Sequence, residues 1–410
     1  MSAASAPSWL SSAAQRVRRL PAPLTIALIY LAARAITTAF LAVAAAQSTS
    51  LSRFGAGATI GDLSLGWDAQ WYWLIAVAGY PSELPLTDAG EVAENAWAFM
   101  PVYPMLARVI GLPLGSWGAG AVVVSFVAGY LGCLALHRLL SPRIGGGAAL
   151  VAVVFFANGP LAALFQVGYA ESLAMLFLLL ALDAVLRRRY FWLYLLVPVL
   201  GFTRPGVLAF ALFLGLVLVW RWMRRRIDPL PRTEIAHFFA LGTLATVVGF
   251  SWQIVAAVAT GDPGAYLATE LAWRRNWGSS GGAGFIPFEG WVDASAFWFT
   301  FWGLPTFLGP VVLVLLVAAA AALLLFDRRV RALGVEVRLW SASYLLYLLA
   351  VFFPQSSTLR LLFPLTPLWG AAAIPRSWWY RAGLLVLCLG AQAAWIYNMY
   401  AMGDTFWRVP

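Results

Sequence analysis

Apolar runs too long for the elements of a soluble core dominate this chain. They fall near 22–47, 118–140, 145–165, 170–186, 190–203, 205–222, 236–259, 304–326, 339–353, 360–374 and 382–400. Crossing roughly 30 Å of hydrocarbon takes about 20 apolar residues in a helix, so the pattern predicts an all-α polytopic membrane protein with about 11 transmembrane helices. The runs at 190–203, 339–353 and 360–374 are short for full spans and are read as broken, tilted or partly re-entrant. Two interruptions, 48–117 and 260–303, are long enough to be functional rather than merely connecting. The later part of the first, "NAWAFMPVYPMLARVIGLPLGSW", is apolar, aromatic and punctuated by proline. Interfacial helices lying along the membrane surface are expected there. No internal repeat divides the chain, so 1–410 reads as a single integral-membrane domain.

Composition agrees: of 410 residues 62% are hydrophobic and 11% charged, where a soluble domain has about a quarter charged. All 27 basic residues are arginine, against 17 acidic ones. With a cytoplasmic N-terminus and eleven crossings, nineteen of those arginines fall in cytoplasmic pieces, as the positive-inside rule requires. The charge is thus topological, and no nucleic-acid partner is expected. The first apolar run is longer than a signal-peptide core and is read as a retained helix. Arginine-only, alanine-rich usage suggests a bacterial plasma membrane. Cys133 and Cys388 sit inside apolar runs, and the two histidines lie far apart. Neither redox nor histidine-metal chemistry is indicated.

Ionisable groups at membrane depth are costly, and mark function or internal pairing. Arg34 lies midway along the first run and needs a buried acceptor, a carboxylate or a carbonyl. Asp183 precedes Arg187 by one turn, a helical ion pair. Glu171 in "GYAESL" is either a first-turn acid favoured by the helix dipole or part of a site. Arg204 in "TRPG", Arg274 and Arg275 in "AWRRNW", and Arg360 in "STLRLL" all fall on the expected outer side, against the general bias. Such arginines need anions, and a phosphate suits the guanidinium fork. Asp68, in "SLGWDAQWYWLIAVAGYP", either caps a short interfacial helix or serves as a general base at the membrane surface.

The stretch "WDAQWYWLIAVAGYP" resembles the W-D-A-x-W-Y/F signature of the GPI mannosyltransferase II (PIG-V) family and its bacterial relatives, within the GT-C glycosyltransferase superfamily. "AFMPVYPML" and "GYAESL" extend the similarity, and "TRPG" more loosely. The resemblance implies a GT-C fold with its active site on the extracytoplasmic face. It implies a polyprenyl-phosphate sugar donor, an acidic base in the first outer loop, inversion at the anomeric carbon and no obligate metal or other cofactor. On it, Asp68 is the base and Glu171 a second acid; Arg204 and Arg360, with Arg274 and Arg275, hold the donor phosphate. Trp67, Trp71, Tyr72, Tyr80, Tyr103, Gln166 and Tyr169 line the sugar and acceptor pocket. The expected reaction moves mannose to a membrane-associated glycan or glycolipid; glucose or arabinose is the alternative sugar. A secondary transporter or lipid flippase is the alternative of a different class, with Arg34, Glu171 and Asp183 as its coupling charges.

Overall fold

The computed structural model describes residues 20–275, 285–403 and 410. Helices follow one another throughout, and the one β-type pairing among these residues is a single bridge between Leu86 and Val92. In chain order they are α1 (Ala22–Gln47), α2 (Ile60–Ser64), α3 (Asp68–Ala78), α4 (Val102–Gly111), α5 (Trp117–Ile144), α6 (Gly146–Ala157), α7 (Glu171–Leu186), α8 (Leu193–Gly201) and α9 (Val207–Met223). Then come α10 (Arg232–Thr260), α11 (Ala265–Arg275), α12 (Glu289–Phe301), α13 (Leu308–Phe326), α14 (Arg328–Ala332), α15 (Val335–Val351), α16 (Thr358–Leu361), α17 (Trp369–Ala373) and α18 (Trp378–Ile396).

Five helices among the described residues, α1, α5, α10, α13 and the segment Trp378–Ala401, are long and apolar enough to cross a membrane. The remaining apolar runs form shorter or interrupted helices. The run at 145–165 is helical only over α6, then breaks into a 3₁₀ turn at Ala162–Phe165. The run at 360–374 splits into α16, a 3₁₀ segment at Phe363–Leu368, and α17; two prolines, Pro364 and Pro367, remove backbone donors there. By contrast the run at 339–353 lies, as far as Val351, within an unbroken α15. Along α1, Ile26, Tyr30, Ala33, Thr37, Leu41 and Ala44 are buried at helical spacing, while Leu24, Leu28, Leu31 and Val43 are exposed. A helix apolar on its outward face as well suits lipid rather than water.

Helices α4, α6 and α7 surround α5, and α1 packs on α5 and α6. Small residues permit the approach: a Cβ on Gly120 would lie 2.2 Å from the Ala107 carbonyl oxygen of α4. The two long interruptions meet each other. The Asn95 side-chain amide donates to Thr269 Oγ1 at 2.9 Å, and the Trp252 indole donates to the Trp97 carbonyl at 2.9 Å. On α4, Tyr103 and Ala107 are buried against α5, while Met105 and Val109 are exposed. Apolar side chains thus lie on the outward side of this segment as well as against the protein, as at a lipid-facing position.

Arg34 shows how a broken helix is completed in an apolar setting. Its guanidinium donates to the carbonyls of Ala157 and Ala162, at either side of the break after α6. It lies 4.9 Å from the Phe165 ring centre and 5.1 Å from that of Tyr30. Carbonyls orphaned by the break thereby gain a charged donor. The segment so fixed leads directly into Glu171.

Candidate active site

Local backbone sets the direction of Asp68. Trp67, just before α3, has φ of 54°, a left-handed value uncommon for a bulky residue. Such a conformation costs about 1–3 kcal/mol and persists only where surroundings over-determine it. Here the Trp67 indole donates to the Met399 carbonyl at 3.1 Å, the Arg53 guanidinium lies 4.4 Å from its ring centre, and Phe54 packs edge-on. The turn makes Asp68 the first residue of α3, and no side chain caps that helix. The capping role open in the sequence is therefore corrected: the Asp68 carboxylate turns to a cation instead of to backbone N–H groups.

That cation is Arg360, whose Nη1 donates to Asp68 Oδ2 at 2.7 Å. Arg360 Nε lies 3.1 Å from Glu171 Oε1, and Arg204 forms the next ion pair with Glu171. The result is a ladder, Asp68–Arg360–Glu171–Arg204, of alternating and balanced charge. Glu171 is buried, while the side chains of Arg360, Arg204 and Asp68 remain 11%, 17% and 17% exposed. Each rung comes from a helix end: the first residues of α3 and α7, the link between α8 and α9, and the short α16. The α16 turn is fastened by the Tyr344 hydroxyl, which donates to the Leu361 carbonyl at 2.7 Å. The Asp68 carboxyl is held above the ordinary value of 3.8: burial raises it, Arg360 pulls it down and Glu171 pushes it up.

Of the aromatic residues expected around the site, Trp71 stacks on Phe99 and meets Trp273 edge-on, each at 5.9 Å between ring centres. Tyr169 lies beneath Arg360, 5.3 Å from guanidinium to ring centre. Tyr72 packs on Phe99 and Tyr103 at 5.3 and 5.0 Å. Three expected pocket residues have other partners. Tyr103 is fully buried, and its hydroxyl meets the Ala121 carbonyl and Ser125, both at 2.9 Å. Gln166 bonds Thr38 and accepts from Arg34, serving the helix break. The Tyr80 hydroxyl donates to the Phe99 carbonyl, and its ring stacks on Trp97. In this structure the polar groups of these three are engaged within the protein. Arg274 and Arg275 end α11, but their side chains lie outside the described residues.

Several neighbours escaped the sequence reading. Tyr400, in a π-helical turn at Tyr397–Ala401, is fully buried, its ring stacked on Phe54 and edge-on to Trp395. Tyr344, Phe99 and Trp273 complete the surround, and only their aromatic type hinted at it. Beside Glu171 and Arg204 runs a narrow cleft of about 40 Å³, walled by Met175, Leu178, Leu200, Val207, Trp340 and Phe363. One end of the cleft is thus ionic and the rest apolar. Among the described residues no three His, Cys, Asp or Glu side chains are grouped as metal ligands.

No protein-family model matches the chain, and no curated protein matches it. Among solved structures it is similar to the crystal structure of ArnT from Cupriavidus metallidurans bound to undecaprenyl phosphate. That match has a TM-score of 0.46 at 14% identity, over 93% of this chain and 65% of the other. The chain thus spans just under two thirds of the length of that structure.

Proposed function

We propose that the chain is a membrane glycosyltransferase of the GT-C superfamily that moves a sugar, mannose, from a polyprenyl phosphate to a hydroxyl of a membrane-associated glycan or glycolipid. The observation that carries the reading is the ladder Asp68–Arg360–Glu171–Arg204 beside a cleft with apolar walls. An anionic head with a hydrocarbon tail matches that combination. The cleft is too narrow for a prenyl tail until flexible side chains such as Met175 part.

In this reading the acceptor hydroxyl attacks the anomeric carbon and Asp68 takes its proton. The new C–O bond forms as the bond from that carbon to the phosphate oxygen breaks, and the electron pair leaves on the lipid phosphate. Arg360 and Arg204 stabilise the developing phosphate charge, which removes the need for a divalent ion. Glu171 positions both guanidiniums. Because both arginines already have carboxylate partners, the donor phosphate enters by exchange. Arg360 turns from Asp68 to the phosphate, and Asp68 is left a stronger base. Trp71 offers the sugar a stacking face. The site faces the extracytoplasmic side of a bacterial plasma membrane, with the N-terminus cytoplasmic.

The test is turnover by purified protein offered radiolabelled polyprenyl-phosphate mannose, glucose and arabinose with lipid acceptors from membranes. Transfer from mannose alone is expected. Transfer from another sugar and none from mannose would end the mannose assignment, and binding of every donor without transfer would end the transferase reading.

A further inference from the structure

A second charged hollow lies at the far end of α5 from the ladder. The first turns of α5 pack against Leu65, three residues before Asp68, and its 28 residues run about 42 Å to Ile144. There Arg143, Arg376 and Arg381 line a cavity of about 690 Å³, together with Gly145, Gly147 and Ala148. Glu336 pairs with Arg143 at 3.1 Å and is the one acid among the described residues bound to this cluster. Arg381 donates from Nε to the Pro375 carbonyl and from Nη2 to the Ala373 carbonyl, which holds its fork in place. Arg376 has no hydrogen-bond or ion-pair partner among the described residues and is exposed. Three guanidiniums against one carboxylate leave a net double positive charge.

The backbone adds donors to the same space. The first intrahelical bond of α6 runs from Ala149 N–H to the Gly145 carbonyl, so the amides of the preceding residues have no partner within the helix. Gly146 and Gly147 are exposed, and Gly147 lines the cavity itself. Next to the hollow, Trp378 and Trp379 are 70% and 83% exposed. Exposed tryptophans at a helix start mark the depth of lipid headgroups.

We infer that this hollow binds a phosphate group, with the headgroup of an anionic membrane lipid as the source favoured by the flanking tryptophans. Guanidiniums suit phosphate oxygens: Arg376 is free to offer its whole fork, and Arg381 keeps Nη1 beyond the two donors spent on carbonyls. Basic hollows between membrane helices suit anionic headgroups. The site is separate from the ladder, and its occupancy does not depend on the transfer reaction.

The experiment uses the full chain in detergent, titrated with dioleoyl phosphatidylglycerol or dioleoyl phosphatidylcholine and read by native mass spectrometry, with and without 10 mM inorganic phosphate as an order-of-magnitude excess. Wild type retains phosphatidylglycerol over phosphatidylcholine. Arg376→Gln, at an exposed side chain with no partner to lose, weakens that retention about tenfold, and Arg381→Gln weakens it likewise. Arg226→Gln, an exposed arginine elsewhere with the same charge change, leaves it intact. Displacement by inorganic phosphate identifies a site for the phosphate group whatever carries it; resistance to displacement identifies a lipid site. Equal retention of both lipids, or equal loss in Arg226→Gln and Arg376→Gln, overturns the inference.

Discussion

Replacing Asp68 with asparagine keeps the shape of the side chain and an acceptor for Arg360 but removes the proton acceptor. General-base catalysis contributes about 10²–10⁴-fold, so kcat is expected to fall by that factor, equivalent to about 3–5 kcal/mol of transition-state stabilisation. Folding is expected to suffer far less. Orphaning a buried charge costs about 3–5 kcal/mol, but Arg360 keeps Glu171 at 3.1 Å, which reduces the expected loss to about 1 kcal/mol. Donor binding separates this account from a structural one. On the proposed mechanism, Arg360 leaves Asp68 to meet the phosphate in the wild type; in the variant that carboxylate no longer competes. Donor affinity is therefore expected to hold or tighten while turnover collapses. The assay is single-turnover transfer beside equilibrium binding of labelled polyprenyl-phosphate mannose, in nanodiscs, with a melting curve for each protein. Undiminished turnover would remove Asp68 from the base role. Lost donor binding with intact turnover per bound donor would show that Asp68 serves to place Arg360 and nothing more.

Glu171 is the shared partner of two guanidiniums. Glu171→Gln should lower stability by about 3–5 kcal/mol, and adding Arg204→Gln should restore part of it, since the orphaned cation goes; thermal unfolding of both proteins checks the sign. The Asp68 carboxyl sits above its ordinary value of 3.8 because of burial, and the base works only when ionised. The acid limb of kcat against pH is thus expected to lie above that value, with activity lost as pH falls, and Asp68→Asn should abolish the limb rather than move it. Chelation by EDTA should leave turnover intact; a strict need for Mg²⁺ or Mn²⁺ would place a metal between Asp68 and Glu171 and refute neutralisation by arginine.

The sequence conveyed much about where the long helices run and which charges are unusual, and less about how those charges pair. Long apolar runs announced α1, α5, α10 and α13 within a few residues, because a helix in lipid must satisfy its own backbone and little else competes. The shorter runs misled where helices end inside the protein. The break after α6 is stabilised by Arg34, which reaches across from α1 to two carbonyls, and no local pattern records an acceptor more than a hundred residues away. The partners of Gln166, Thr38 and Arg34, were hidden for the same reason.

The ladder shows where such reading stops. Glu171, Arg204 and Arg360 each stood out alone, as charges at the ends of apolar runs, and Asp68 as an acid among aromatics in the first long interruption. Their order did not, because Asp68 and Arg360 are 292 positions apart and the pairing is chosen by how α3, α7 and α16 pack. Knowing the order changes the chemistry. Arginines awaiting a phosphate would bind it by simple attraction, whereas arginines already neutralised bind it only by releasing a carboxylate. On the proposed mechanism, phosphate binding and the freeing of the base would thereby become one event, with Asp68 gaining its full basicity only when a donor is in place.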